Sequence, residues 1–145
     1  MRFMVIVKAT PESEKEGALP DPELMAEMGK FNKELINAGV VLATDGLQPS
    51  SKGARVKFSG KSRTVVDGPF TETKELIAGF WIWQVKSLEE AIEWAKRTPN
   101  PHNVDSEIEI RQVGEMEDFA SILTEEEIQY KKAKRAQLPN QAISK

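Results

Sequence analysis

Four polar side chains, Asp67, Glu72, Lys74 and His102, have the type and setting for acid–base or binding chemistry. Three of them fall in one stretch, Val66-Asp67-Gly68-Pro69-Phe70-Thr71-Glu72-Thr73-Lys74-Glu75. Asp67 there suits a general base or a ligand contact, or equally an Asx-turn carboxylate holding the Gly68-Pro69 bend. Glu72 and Lys74 project to one side if the chain is extended. They would then orient a polar substrate, or form a surface ion pair worth about 0–1 kcal/mol. Phe70 reads as the apolar anchor of the loop and a wall for any ligand beside it. His102 stands among Pro99, Asn100, Pro101 and Asn103, with Asp105 three residues on. A histidine near a carboxylate can act as acid or base near neutral pH. Trp81 suits the wall of an aromatic pocket, or, on a central strand, the core or a subunit interface.

Other chemistries lack their residues. The absence of cysteine removes disulfides, thiolate metal sites and cysteine nucleophiles. One histidine without ligand-spaced carboxylates makes no closed metal site. Gly39, Gly46, Gly53 and Gly60 are scattered instead of clustered in a phosphate-binding loop, and no Gly-x-Ser-x-Gly elbow occurs. The expectation is a protein with no cofactor and no metal.

The net charge of −3 leaves no concentrated positive face for phosphates. Lys131, Lys132, Lys134 and Arg135 follow Glu125-Glu126-Glu127, an order that suits pairing four residues apart along a helix and complements its dipole. Nucleic acid is therefore not an expected partner. No apolar stretch is long enough to span a bilayer, and Met1 to Lys8 is too short for a signal peptide, so a cytoplasmic location is the expectation.

Those candidate residues need elements to position them. Phe3, Val5 and Val7 alternate with Met4 and Ile6 in a strand apolar on both faces. After a polar loop, Asp21 caps a helix carrying Leu24, Met28, Phe31, Leu35 and Ala38 as its apolar stripe, with Gly39 as its stop. Val40 to Ala43 form a strand, and Val56, Phe58 and Arg63 to Val66 form a hairpin turning at Ser59-Gly60-Lys61. Ile77 to Val85 is a strongly hydrophobic strand. Ser87-Leu88-Glu89-Glu90 is a capping box opening a second helix, and Glu107 to Val113 is the last strand.

With the hairpin set aside, two βαβ halves remain. That is the ferredoxin-like arrangement, an α+β fold with an antiparallel sheet and both helices on one face. Strands apolar on both faces then leave one sheet face uncovered, and a soluble monomer rarely exposes so large a patch. A homodimer with sheets face to face is expected. Residues 1–113 form this domain, and residues 114–145 a C-terminal helical extension with a second capping box at Thr124-Glu125-Glu126-Glu127 and a frayed end from Pro139.

Several blocks of this sequence together resemble a known family. They are Phe31-Asn32-Lys33-Glu34-Leu35 through Ala38-Gly39-Val40, Gly46-Leu47-Gln48-Pro49-Ser50, the Asp67-Gly68-Pro69-Phe70 to Glu75 stretch, Glu90-Ala91-Ile92-Glu93-Trp94-Ala95, and Glu107-Ile108-Glu109-Ile110-Arg111. The pattern resembles the YCII-related proteins of the DGPF type over residues 1–113. The resemblance implies a dimeric α+β-barrel built on the ferredoxin-like fold. The wider group is thought to use a histidine–aspartate pair in a cleft on small molecules, and some relatives are encoded beside extracytoplasmic-function sigma factors. This chain departs from the pair, since its one histidine, His102, lies far along the sequence from the first helix.

Three readings follow. The first is small-molecule binding or chemistry in a cleft beside Asp67–Glu75, with Asp67 and His102 as candidate catalytic groups and Phe70, Glu72, Lys74 and Trp81 as ligand contacts. The second is a regulatory module that binds a protein partner through residues 115–145. The third is a structural dimer without a ligand.

Overall fold

The computed structural model describes residues 1–139; the C-terminal stretch expected to fray lies, from residue 140 onward, outside the described residues. Two compact units divide the chain, Met1–Gln112 and the segment from Val113 onward.

In the first unit, strand β1 (Arg2–Lys8) leads through a loop to helix α1 (Pro22–Asn37) and strand β2 (Val41–Gly46). A hairpin of β3 (Ala54–Ser59) and β4 (Ser62–Asp67) follows, then β5 (Ile77–Gln84), α2 (Leu88–Lys96) and β6 (Ile108–Gln112). The main sheet has the order β2-β5-β1-β6 with every pair antiparallel. This is the ferredoxin-like α+β arrangement, and the hairpin is a separate two-stranded sheet inserted before β5.

Local signals account for the helix ends. The Asp21 carboxylate accepts from the Glu23 amide at 3.1 Å, Pro22 occupies the first turn, and Gly39 takes a φ of 70° just past the end. At α2, Ser87 Oγ accepts from the Glu90 amide, but the Glu90 carboxylate takes the amide of Lys86 instead of Ser87. The expected box is thus shifted by one residue on its return bond.

Alternation along the strands builds the core. Phe3, Val5 and Val7 of β1 and Trp81 and Trp83 of β5 pack with Phe31 and Leu35 of α1 and Ala91 of α2. Register places Phe3 beside Trp83 and Val5 beside Trp81, so these large rings share the helix-covered face. Phe31 sits edge-on to Trp81 with ring centroids 6.2 Å apart and interplanar angle 90°. It also lies 6.4 Å from both Trp83 and Trp94, so one phenyl ring from α1 locks both tryptophans of β5. Met4, Ile6, Phe80 and Ile82 have the opposite parity and line the sheet face opposite α1 and α2.

In the second unit, the spacing of Met116, Phe119, Ala120 and Leu123 predicts one helical stripe; Met116–Phe119 form a short 3-10 turn instead, and α3 (Glu125–Ala136) follows. Thr124 and Glu127 exchange both bonds of the expected capping box, at 3.1 and 2.8 Å. The charges do not pair four apart along α3. Lys132 reaches back to Glu117 at 2.8 Å and Arg135 lies 4.0 Å from Glu115, so the basic face of α3 ties down the preceding turn. The hydrogen bond from Lys132 holds the Glu117 carboxyl below its ordinary range, and the same bond raises the Lys132 ammonium. A lowered carboxyl stabilises the fold above its ordinary titration and loses that contribution as pH falls through it. A raised ammonium loses its contribution as pH climbs through the lysine range. The amide signals of Met116–Phe119 should therefore lose dispersion at both pH extremes, and Lys132→Met should remove both limbs of the profile.

Candidate functional site

The Asp67–Phe70 stretch is held by a serine and a glutamate from two other segments. Glu14, in the β1–α1 loop, accepts the Ser50 amide at 2.9 Å and also takes the Ser50 hydroxyl. Ser50 Oγ in turn accepts the Phe70 amide at 2.9 Å. Gly68 donates its amide to Gly53 at 3.0 Å, across a bend that contains a cis Gly68-Pro69 bond. A Cβ on Gly68 would lie 1.7 Å from the Ser50 carbonyl oxygen, so only glycine fits. Phe70 lies half-buried under the Arg55 guanidinium, 3.8 Å from its ring centroid.

Asp67 itself is the last residue of β4, opposite Ala54, and is exposed. Among the described residues its carboxylate makes no hydrogen bond, so no Asx bond at Asp67 holds the bend; glycine contact and Ser50 do. Thr73–Glu75 is a 3-10 turn, which removes the extended geometry expected for Glu72 and Lys74. Those two side chains are exposed and form no ion pair with one another among the described residues.

His102 is placed by an asparagine. The Asn100 side-chain oxygen accepts the His102 amide and the Ser106 hydroxyl, both at 3.0 Å, while its NH2 group donates to the Val104 carbonyl at 2.8 Å. Asn100, not Asp67, therefore forms an Asx turn here. Asn103, at φ 55°, donates to the Asp21 carboxylate at 3.2 Å, joining the loop to the N-cap of α1. His102 Nε2 is 2.6 Å from the Lys8 carbonyl oxygen. A carbonyl only accepts, so Nε2 carries a proton and Nδ1 is the acceptor of the neutral ring form.

This folding brings His102 to a cleft of about 380 Å³ between the start of α1 and the β2–β5 edge. Val7, Leu24, Met28 and Trp81 supply apolar wall, and Asn32, Thr44 (in register beside Trp81) and His102 supply polar side chains. The Trp81 indole N–H donates to Asn32 Oδ1 at 2.7 Å, which fixes the amide. Gly79 allows the two strands to close, since a Cβ there would lie 3.1 Å from the Asp45 carbonyl oxygen. A second cavity of about 460 Å³ is lined by Lys8, Thr10, Thr73, Lys74, Asp105 and Glu107 among others. Lys8 there bonds Glu109 at 3.2 Å, and that hydrogen bond, with Arg111 nearby, holds the Glu109 carboxyl below its ordinary range.

Of the residues singled out from the sequence, Trp81 and His102 meet in the first cleft and Lys74 lines the second. Asp67, Phe70 and Glu72 line neither. Asn32 and Thr44 were not singled out. Asn32 sits on a helix position that periodicity alone marks as surface, and Thr44 lies one residue beyond the strand expected there. No group of three or more metal-ligating side chains occurs among the described residues, and no helix among them is long and apolar enough to cross a membrane.

Comparison with known proteins places the chain. The family model of the YCII-related domain matches residues 1–117. The chain belongs to the YCII-related family. An uncharacterized protein of Rhizobium meliloti (strain 1021) is similar to this YCII-related chain, at 30% identity over 91 residues, covering 63% of the chain and 73% of the relative.

The anchoring geometry gives two adjacent positions different roles. Gly68→Ala should destabilise the domain by about 3 kcal/mol or more, because backbone must move. Asp67→Ala should stay within about 0.5 kcal/mol of wild type, as for an exposed unbonded side chain. Urea unfolding of both variants measures the difference.

Proposed function

We propose that this YCII-related domain binds a small molecule with an apolar body and a polar end in the cleft between α1 and the β2–β5 edge. One observation carries the reading: an apolar wall and three polar side chains, including the protein's only histidine, converge on one opening of about 380 Å³. Small-molecule sites are commonly clefts of roughly 300–1,000 Å³ with few, fixed polar groups. Asn32 is fixed by Trp81 and His102 by Asn100 and the Lys8 carbonyl, so neither must be ordered on binding. In this reading the ligand's polar end meets His102 Nδ1 and the Asn32 amide, with the Thr44 side chain beside them.

The position of Lys74 favours a second reading, an anionic ligand in the cavity beside the Thr73–Glu75 turn. A thermal-shift screen of small metabolites separates the two. A compound at about 100 times its Kd should raise Tm by roughly 9 °C. For the α1 cleft, His102→Ala should weaken that compound about tenfold, or about 1.4 kcal/mol, while Lys74→Ala leaves it unchanged. The reverse pattern assigns the ligand to the second cavity, and loss with Asp67→Ala alone contradicts both.

A further inference from the structure

The polar side chains of the α1 cleft have a definite hydrogen-bonding sense, and that sense restricts what the cleft can hold. An indole N–H only donates, so the Asn32 amide turns its oxygen to Trp81, at 2.7 Å. The Asn32 NH2 group has no hydrogen-bond partner among the described residues. The Thr44 hydroxyl donates its hydrogen to the Phe80 carbonyl at 3.0 Å, which leaves its oxygen with lone pairs only. His102 Nε2 donates to the Lys8 carbonyl, so Nδ1 of the neutral ring is likewise an acceptor. One donor group and two acceptors therefore line the same opening.

Charge narrows the choice further. Among the described residues lining the cleft, none is lysine or arginine. Asp45 is the one carboxylate, and its register beside Phe80 puts its side chain on the other sheet face from Thr44 and Trp81. The positive end of α1 is already met from within: the Asp21 carboxylate accepts the Glu23 amide and the Asn103 side chain, and Pro22 has no N–H. A ligand carboxylate would face two acceptors without a countercharge, a mismatch that costs more as the cleft excludes water. An ammonium would leave the Asn32 NH2 group without an acceptor.

We propose that the ligand is uncharged at its polar end and carries a carbonyl beside an N–H, as a carboxamide or lactam does. Its carbonyl accepts from the Asn32 NH2 group, and its N–H donates to His102 Nδ1 or Thr44 Oγ1. This rests on the cleft reading and names the ligand class for it. Hydrogen-bond sense discriminates strongly, because a mismatched group is left unpaired in the complex.

Matched carboxamides and carboxylates on the same body test it with the full chain: isobutyramide and isobutyrate, benzamide and benzoate, cinnamamide and cinnamate. The Trp81 indole N–H resonance reports the site directly, since that proton lies on Asn32. In mildly alkaline buffer, which keeps free histidine neutral, the amide of a binding pair should be at least about tenfold tighter than its acid. Asn32→Asp keeps an oxygen for Trp81 and replaces the NH2 group by a second acceptor, so it should weaken the amide about tenfold. The wild-type comparison stands whether or not that variant folds. An acid that binds as tightly as its amide, or an amide indifferent to Asn32→Asp in a folded variant, overturns this ligand class and leaves the cleft a binding site. If no member of either series moves the Trp81 resonance at millimolar concentration, the ligand class and the cleft reading fall together.

Discussion

Ser50 holds three separate parts of the chain at one point. Its amide and hydroxyl go to Glu14, and its oxygen receives the Phe70 amide. The Gly68 backbone then closes on the Ser50 carbonyl at a distance no side chain tolerates. This tie fixes the loop before α1, the turn after β2 and the return of the hairpin relative to one another. Hydrogen bonds to a carboxylate are stronger than neutral ones, which suits a joint made largely of loop. The conspicuous tetrapeptide is thus a structural joint, and its chemistry is that of packing without a Cβ.

The cleft depends on a second set of ties, at the N-terminal end of α1. Asn103 bonds Asp21, Asn100 shapes the turn, and the Lys8 carbonyl sets the proton on the His102 ring. A residue far from α1 in sequence is thereby delivered to its N-terminal end. Spatially, His102 and Leu24 line one opening.

The fold was legible wherever periodicity was strong. Alternation in Phe3–Val7 and Ile77–Gln84, caps at Asp21 and Thr124, and the turn at Gly60 identified elements that the structure contains. Weak periodicity misled at Met116–Phe119, where a stripe of apolar residues forms only a 3-10 turn, and α3 spends its cations on that turn instead of on its own glutamates. The candidate site was harder to read because it rests on side chains meeting across the fold. Asn32 becomes a site residue only through the Trp81 indole, and Ser50 becomes a joint only through Glu14. Turn propensity at Asp-Gly-Pro drew the Asx bond to Asp67, whereas the geometry gives it to Asn100.

Amide hydrogen exchange in wild type and Ser50→Ala tests most directly whether this serine joint organises the signature stretch. The informative probe is the Gly68 amide, whose own acceptor, the Gly53 carbonyl, is untouched by the substitution. The joint predicts that Gly68 protection falls at least tenfold while the amides of β1 and β5 keep theirs. Undiminished protection at Gly68 in Ser50→Ala would contradict it.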